Sequence, residues 1–323
     1  MIISQNHWEG ERFSVEPFAY YRFTFRSLTA TPGYWFARFF DGTGAEINAD
    51  VYSSVYPSAD WRTHESCFMA RAEARTASYG FRQDKGDLAF EDAAINAIQP
   101  SDALQWIDDL YRGLPPVHAR PENGRFRHLP RTLSLLRGGG NLRLLILGDS
   151  IANDTANSMF PLLVERMAPG LEVSLIHSVK GGTGCWFYEE DAELESYVLR
   201  HKPNLVLIAG ISHRNDADPI LNVIRKARLA LPGAEYLVVG DAVHREGAPE
   251  LEAAFRRNLV EGTDAGRYAY MDMWNEWERY LATCGQPLEW YLRDKIHFND
   301  RGKQIIGRIM AAFFEREERA SAT

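Results

Sequence analysis

Four short apolar runs after residue 140 restrict the fold of this 323-residue chain more than any other feature of its sequence. They occupy positions 142–147, 173–176, 205–208 and 236–239. Strands that are buried on both faces of a parallel sheet have this composition. Segments with helical spacing follow these runs, at 157–167, 191–200, 219–230 and 250–259. The alternation predicts a doubly wound α/β domain, in which ligands bind beyond the carboxyl ends of the strands.

The first part of the chain has a different pattern. From position 21 to 26, aromatic side chains alternate with Arg or Thr, which is the period of a half-buried strand. A second aromatic run at 34–40 ends in a glycine-containing turn, and further strand candidates lie at 64–70, 76–82 and 87–93. Short strands separated by turn residues predict an antiparallel β-sandwich over residues 1–99.

Prolines and the triple glycine 138–140 mark residues 100–140 as a linker or docking segment, with one short helix expected at 101–110. The glycines precede a strand, whereas phosphate-binding glycines follow a strand and open a helix, so no phosphate loop is predicted. The sequence therefore predicts three parts: a β-sandwich at 1–99, this segment at 100–140 and an α/β domain at 141–323.

The charge of the chain excludes some classes of partner. Asp and Glu number 44 against 36 Lys and Arg, which gives a formal charge of −8. The chain lacks the broad positive field that non-specific binding to nucleic acid or to an anionic membrane needs. No apolar run approaches the roughly twenty residues of a membrane span, and the polar N-terminus does not resemble a secretory signal peptide. These features predict a cytoplasmic protein, with secretion or a periplasmic location left open if a leader has been removed.

Polar residues or glycines follow the first three apolar runs. The first run leads into Gly148-Asp149-Ser150, where the serine is either a helix cap or a nucleophile favoured by the helix N-terminus. Glycines at 181, 182 and 184 follow the second run, as a flexible loop or as a means to bring main-chain N–H groups close to a ligand oxygen. The cluster 210–216 after the third run is either a solvated loop or part of a site.

Near the C-terminus, Asp294 precedes His297 by three residues. A carboxylate at this spacing can accept a hydrogen bond from ring Nδ1, which fixes the tautomer and leaves Nε2 as a base. An apolar stripe at 305–313 predicts a final amphipathic helix that begins near residue 299. The pair therefore lies just before the last helix.

The Gly-Asp-Ser that opens the α/β region and the Asp-x-x-His that closes it together resemble the motifs of the SGNH hydrolases, also called the GDSL esterase and lipase family. The resemblance covers residues 142–318 and implies the flavodoxin-like fold of that family. It implies Ser150 as nucleophile, His297 as general base and Asp294 as the residue that orients the base. The oxyanion donors that it implies are the main-chain N–H groups of Ser150 and Gly182, with Gly181 as a one-residue alternative.

The third block departs from the family pattern. The family has Gly-x-Asn-Asp after the third strand, whereas this chain has Gly210-Ile211-Ser212-His213. Ser212 stands where an Asn side chain is expected as the third oxyanion donor, and Asn215 or His213 are alternatives if the loop bends. Loss of one such donor lowers the rate about 10²–10³-fold, so the departure bears on catalytic efficiency more than on the fold.

The chemistry that the resemblance implies is transfer of an acyl group from an ester to water, without metal or cofactor. No group of His, Asp and Glu has the spacing of metal ligands, and the three cysteines match neither a zinc pattern nor a disulfide framework. Asp149, Trp186 and His213 are candidates for contact with a substrate. The aromatic stretch 185–188 fits packing against the N-terminal domain equally well.

Residues 34–36, Asp60-Trp61 and 90–92 give the first part a looser resemblance to jelly-roll carbohydrate-binding modules, although most of these rings also fit a sandwich core. The combination predicts a carbohydrate esterase that removes O-acetyl groups from a small-molecule or oligosaccharide ester, with neither nucleic acid nor membrane as a partner. Two alternatives stay open. One is a glycan-binding or assembly protein that has lost turnover, and the other is a lipase or thioesterase of the same fold.

Overall fold

The computed structural model describes residues 1–4, 7–243 and 249–315. The chain groups into two compact units. The first contains the described residues of 1–114, 157–159 and 288–304, and the second contains those of 115–156, 160–287 and 305–315. Two stretches from the later part of the sequence thus belong to the first unit. The domain boundaries predicted at residues 99 and 140 stay a prediction.

The first unit is built on two antiparallel sheets. Its elements are β1 (Ile2–Ser4), β2 (His7–Glu9), β3 (Phe13–Ser14), β4 (Tyr20–Thr29), β5 (Gly33–Phe40), β6 (Glu46–Val55), β7 (Ser58–Met69), β8 (Thr76–Arg82), β9 (Asp87–Ile98) and α1 (Pro100–Arg112). The first sheet has the strand order β1-β9-β4-β7, and the second has β2-β8-β5-β6 with β3 paired to β8.

β4 shows why this sequence forms a sandwich. Buried and half-buried residues alternate along all 10 positions of the strand, which places Phe23 and Phe25 in the interior. The Phe23 ring lies 4.9 Å from the ring of Trp35 in the second sheet, and the Phe25 ring lies 4.9 Å from that of Phe81. Large aromatic side chains from both sheets therefore fill one shared core, and the predicted β-sandwich is confirmed.

Arg71 holds residues 157–159 on the sandwich. Its side chain is buried, with Nε donating to the carbonyl of Ala49 at 2.6 Å and Nη2 donating to Oδ1 of Asn157 at 2.8 Å. Asn157 Nδ2 in turn donates to the carbonyl of Asp50 at 3.2 Å. A buried guanidinium needs such acceptors, so this stretch is fixed to the first unit.

The second unit is an α/β structure. Its elements are α2 (Pro130–Gly138), β10 (Gly140–Gly148), α3 (Ser150–Ala156), α4 (Phe160–Met167), β11 (Leu171–Val179), α5 (Cys185–Tyr188), α6 (Asp191–Tyr197), β12 (Leu205–Ala209), α7 (Asp218–Ala230), β13 (Glu235–Val239), α8 (Pro249–Glu261), α9 (Thr263–Gly266), β14 (Ala269–Met271) and α10 (Met273–Cys284). The last helix, α11 (Asp300–Phe313), begins in the first unit and ends in the second. Short 3₁₀ helices occupy Leu199–His201 and Leu288–Tyr291.

The five strands of the second unit are parallel, in the order β11-β10-β12-β13-β14. All residues of β12 and β13 are buried, as their apolar composition predicts. Because β10 lies between β11 and β12, the chain winds outward from it in both directions, and the carboxyl ends of these three strands meet at one edge. The predicted doubly wound α/β fold is confirmed.

Two helix predictions need correction. The helix predicted at 157–167 begins only at Phe160, because residues 157–159 belong to the first unit and Met159 has a left-handed φ of 57° that an α-helix does not accommodate. Residues 100–140 contain α1 and α2, where one helix was expected. Pro130 opens α2, since the first turn of a helix tolerates the missing N–H. Within the described ranges, no helix has the length and apolar character needed to cross a bilayer.

Candidate active site

Asp149 links the loops that follow β10 and β12. Its side chain is only 1% exposed. Oδ1 accepts the main-chain N–H of Ile151 at 2.8 Å and that of Ala152 at 3.3 Å. Oδ2 accepts the N–H groups of Ile211 at 2.9 Å and Ser212 at 2.8 Å. The carboxylate thus fixes the loop after β12 to the start of α3, and direct contact of Asp149 with a substrate stays a prediction.

Two glycines make this close approach of the loops possible. A Cβ at position 148 would lie 2.0 Å from the carbonyl oxygen of Ala209, and a Cβ at position 210 would lie 2.4 Å from Oδ1 of Asp149. Gly210 also has a φ of +111°, which L-residues rarely adopt. Gly148 and Gly210 are therefore required by the packing around Asp149.

Ser150, the predicted nucleophile, is the first residue of α3 and is half-buried. The remaining residues of this short helix, 151–156, are all buried. Because Asp149 accepts the first N–H groups of the helix, the turn that carries Ser150 is fixed from its buried side.

The loop after β11 contains the predicted oxyanion glycines. Gly181 and Gly182 are exposed, and Gly182 has a φ of +71° with no atom within 4 Å of the place a Cβ would take. Gly184 is closely packed instead, since a Cβ there would lie 2.4 Å from the carbonyl oxygen of Ser212. The main chain at 181–182 is therefore open, while the chain at 184 is packed on the neighbouring loop.

Trp186 and its neighbours connect this loop to the loop after β12. Trp186 Nε1 donates to the carbonyl of Ser212 at 2.9 Å, and the Arg214 guanidinium lies 3.9 Å from the centre of the Trp186 ring. The main-chain N–H of Cys185 donates to Nδ1 of His213 at 3.4 Å. Three of the predicted site residues are thus neighbours.

His213 is buried, and Asn215 is exposed with a left-handed φ of 54°. Burial lowers the pKa of the His213 imidazole, against the opposing effects of the Asp149 charge and of a hydrogen bond to the Ala209 main chain. The ring is therefore neutral near pH 7 and uses Nδ1 as an acceptor. Their predicted roles, as substrate contact for His213 and as alternative oxyanion donors for both, stay predictions.

The end of the fourth strand adds a residue that sequence reasoning missed. Asp241 follows Gly240 directly after β13 and is half-buried. Burial raises the pKa of its carboxyl well above the usual range, the charges of Asp149 and Glu252 add to this effect, and Arg256 opposes it. A raised pKa favours the protonated form of the carboxyl, which can donate a hydrogen bond. Its position directly after the fourth apolar run is a signal that the sequence itself contains.

Asp294 and His297 lie in the first unit and form the contact that their spacing predicts. His297 Nδ1 is 2.8 Å from Oδ2 of Asp294 and 3.0 Å from Oδ1. Oδ1 also accepts the main-chain N–H groups of Ile296 at 3.0 Å and His297 at 2.9 Å. Because a carboxylate can only accept hydrogen bonds, the ring nitrogen that faces it, Nδ1, must carry a proton.

The hydrogen bonds of Asp294 also set its charge. Burial by itself raises the pKa of this carboxyl, but the bonds from the His297 ring and from the two main-chain N–H groups outweigh burial and lower the pKa below its usual range. Asp294 is therefore ionised at any pH where a histidine can act as a base. An ionised carboxylate at Nδ1 stabilises the imidazolium that forms when Nε2 accepts a proton.

The second sheet of the sandwich carries a groove of about 360 Å³, lined by Arg38, Tyr52, Arg82, Gln83 and Asp84 among others. These side chains provide hydrogen-bond donors and acceptors, some of them charged and some neutral. Such a surface suits a polyhydroxylated ligand better than an alkyl chain.

Arg38 in this groove is held in place by carboxylates. Its Nη1 is 2.9 Å from Glu9 and its Nε is 3.6 Å from Asp50, to which the Tyr52 hydroxyl donates at 3.0 Å. Burial raises the pKa of Asp50 to about 6, against the opposing effects of Tyr52 and Arg38. The guanidinium is therefore oriented before any ligand arrives.

The predicted site residues fall in both units. Ser150, Gly182 and Ser212 lie in the second, and Asp294 and His297 lie in the first. Joint action of these two groups is therefore a proposal. Across the described parts of the chain, no cluster of three or more His, Cys, Asp or Glu is arranged to hold a metal ion.

No family model matches the sequence, and no curated protein matches it. Among solved structures, the chain is similar to a two-domain esterase active on acetylated mannans, co-crystallized with mannopentaose, with 16% identity and a TM-score of 0.48. That likeness covers 61% of this chain and 57% of the esterase, so this chain spans little more than half of that protein.

Two further solved structures are similar over about half of this chain. The acetylxylan esterase Axe2 from Geobacillus stearothermophilus has 16% identity and a TM-score of 0.46, over 55% of this chain and 96% of that one. A lipase/acylhydrolase from Enterococcus faecalis has 17% identity and a TM-score of 0.41, over 55% of this chain and 100% of that one. Esterases and a lipase are thus among the structural neighbours, and the function proposed for this chain rests on its own residues.

Proposed function

We propose that this chain is a serine esterase that hydrolyses short acyl esters, above all O-acetyl groups on a carbohydrate, with a triad of Ser150, His297 and Asp294. The observation that carries the proposal is the Asp294–His297 pair. Its ionised carboxylate lies 2.8 Å from Nδ1, which leaves Nε2 as the basic nitrogen of the ring. A serine hydroxyl needs such a base to become a nucleophile.

In the first half of the proposed reaction, Nε2 of His297 takes the hydroxyl proton of Ser150 while Oγ bonds to the ester carbonyl carbon. The oxyanion accepts hydrogen bonds from the main-chain N–H groups of Ser150 and Gly182, with Gly181 as the alternative, and from the Ser212 side chain. The bond to the alcohol then breaks, and His297 gives the proton to the departing oxygen. Water attacks the acyl-enzyme in the same way, which releases the acid and restores Ser150.

The geometry around Asp149 supports this assignment of the oxyanion site. Asp149 fixes the loop that carries Ser212 to the turn that carries Ser150, and Trp186 fixes the same loop from the other side. Donors that are held before the reaction lower its barrier more than donors that must be reoriented.

The groove on the second sheet supports a carbohydrate as the alcohol part of the ester. Arg38 and Arg82 can donate to sugar hydroxyls, and Asp84 can accept from them. A fatty acyl chain in the same groove would remove water from these charged groups without replacing its hydrogen bonds. We therefore favour an acetylated sugar over a lipid or thioester.

A glycan-binding protein without turnover is the second candidate, and Ser212 is the observation that favours it. The N–H of Ser212 is engaged by Asp149 and its carbonyl by Trp186, which leaves the hydroxyl as its group for an oxyanion. A hydroxyl is shorter than the amide expected there and rotates. Binding of an oligosaccharide by a chain that shows no hydrolysis would support this candidate.

Hydrolysis of p-nitrophenyl acetate tests the proposed function. We expect Ser150→Ala and His297→Gln to lower kcat by about 10⁴-fold or more. The exposed residues Ser101 and His118 offer matched controls, and Ser101→Ala and His118→Gln should keep the wild-type rate. Equal rates for Ser150→Ala and wild type would reject the serine mechanism.

The substrate is tested with esters of different chain length and with acetylated glycans. We expect p-nitrophenyl acetate to be preferred over the octanoate, and acetate to be released from at least one member of a panel of acetylated oligosaccharides. A preference for octanoate would instead identify a lipase or thioesterase.

A further inference from the structure

A short hairpin of the first unit carries the Asp294–His297 pair. Leu292 and Phe298 form an antiparallel bridge at its base. The main-chain N–H of Arg293 donates to the carbonyl of His297 at 2.8 Å, and Arg293 Nη1 donates to the carbonyl of Phe298 at 2.6 Å. The position of the His297 main chain therefore follows the position of Arg293.

Tyr34 on β5 holds Arg293 from the sandwich. Its hydroxyl donates to the main-chain carbonyl of Arg293 at 3.1 Å, across 259 positions of sequence. The Arg293 guanidinium lies 5.6 Å from the ring centre of Tyr52 on β6. Burial raises the pKa of the Tyr34 hydroxyl, and the Asp294 charge adds to this, so the hydroxyl keeps the proton that it donates. Arg293 is thus held by the hairpin on one side and by the second sheet on the other.

The start of α11 fixes the other end of the hairpin. Asn299 Oδ1 accepts the N–H of Gly302 at 3.1 Å, and its Nδ2 donates to the carbonyl of Leu292 at 3.1 Å. The Ser53 hydroxyl on β6 donates to a carboxylate oxygen of Asp300. The second sheet therefore contacts the segment on both sides of His297.

The mutual geometry of Asp294 and His297 is internal to the hairpin, but the place of the pair in space depends on these anchors. We propose that Tyr34 is a positioning residue for His297: its hydroxyl fixes the Arg293 peptide and, through it, the direction in which the imidazole is presented. This inference rests on the proposed function, in which His297 is the base. It makes the β-sandwich part of the catalytic apparatus in addition to any role in holding sugar.

Kinetics of Tyr34→Phe test this role, with Tyr21→Phe as the matched control. The Tyr21 hydroxyl also makes one main-chain contact in the sandwich, accepting the N–H of Glu16 at 2.9 Å. Because a shift of 1 Å can cost about 10²-fold, we expect kcat on p-nitrophenyl acetate to fall about 10-fold in Tyr34→Phe with KM within about twofold. We expect Tyr21→Phe to keep the wild-type kcat, and the melting temperatures of the two variants to agree. Equal kcat values for the two variants would overturn the positioning role.

A spectroscopic measurement separates this inference from the proposed function. In the full chain labelled with ¹⁵N-histidine, the Nε2 resonance of His297, which reports the surroundings that the imidazole faces, is identified by its loss in His297→Gln. We expect it to shift or broaden in Tyr34→Phe and to stay unchanged in Tyr21→Phe. An unchanged resonance in Tyr34→Phe would refute the role of Tyr34. A shifted resonance in a chain without Ser150-dependent hydrolysis would uphold that role and refute the proposed function.

Discussion

Oδ2 of Asp149 accepts the main-chain N–H of Ser212 at 2.8 Å, across 63 positions of sequence. The same carboxylate accepts three further N–H groups, two at the start of α3 and one at Ile211. The aspartate of the Gly-Asp-Ser motif is thus the residue that joins two strand ends into one surface.

Asp149→Asn is therefore expected to destabilise the second unit. The substitution replaces one carboxylate oxygen, which accepts two buried N–H groups, with an NH₂ group that can only donate. The two N–H groups then lose their acceptor, which we expect to lower the free energy of unfolding by about 3 kcal/mol. Urea unfolding of this variant measures the loss. Asp216→Asn is the matched control, because Asp216 accepts one N–H, that of Asp218 at 3.0 Å, on the surface. A similar loss of stability in both variants would contradict the joining role of Asp149.

Asp294→Asn should abolish most of the activity while the fold is kept. The Asn oxygen can still accept the main-chain N–H groups of Ile296 and His297, but its NH₂ must then donate to Nδ1, which places the ring proton on Nε2. We expect kcat to fall about 10⁴-fold with little change in melting temperature. Asp264, which contacts His128 Nε2 at 3.0 Å on the surface, supplies the control Asp264→Asn. Wild-type turnover by Asp294→Asn would refute the tautomer argument.

Paired variants identify the third oxyanion donor. If Ser212 donates, Ser212→Ala should lower kcat about 10²-fold or more with KM little changed. Asn215→Gly should then have no such effect, since Gly tolerates the left-handed φ of position 215 and the change removes the amide donor without adding a charge. The reverse result would assign the donor to Asn215, and full activity in both variants would exclude a side-chain donor at either position.

His201 should make stability depend on pH. Burial lowers the pKa of this histidine to about 4, with added effects of Arg200 and Arg143. Between pH 6.5 and 4 the unfolded chain binds a proton here that the folded chain does not, so stability falls as pH falls through this window. The expected slope is about 1.4 kcal/mol per pH unit, which gives roughly 3.5 kcal/mol over the whole window.

Urea unfolding of wild type and His201→Asn at several pH values measures the contribution of His201 to the pH dependence of stability. The difference in free energy of unfolding between the two should shrink as the pH falls from 6.5 to 4. A constant difference between wild type and His201→Asn would show that folding does not shift the pKa of the His201 ring.

The sequence predicted several strands from their patterns but missed β6, although its residues 49–55 alternate between buried and half-buried positions. β4, with one face buried, shows the alternation, and β12, buried on both faces, is a continuous apolar run. β7 begins at residue 58, whereas the sequence predicted a start at residue 64. Its first part was missed because residues 59–63 are exposed and show no alternation. The polar half of a strand can only be found from its partner, which here is β4.

The sequence did not predict individual contacts between residues that are far apart in the chain. The Asp294–His297 bond spans three positions and follows from local geometry, so its spacing predicts it. The bond from Tyr34 to Arg293 spans 259 positions, and no periodicity in either segment indicates the other. Asp241 is a different case, since its place directly after the fourth apolar run is itself a sufficient signal in the sequence.

Residues 288–304 group with the first unit, and this has a consequence for how such a chain can change over generations. A recombination event that supplied an unrelated first half would deprive the segment bearing His297 of Tyr34 and Ser53. We expect the two parts to be inherited together, since a replacement would hold residues 288–304 in the same way only if it brought equivalent side chains to contact them.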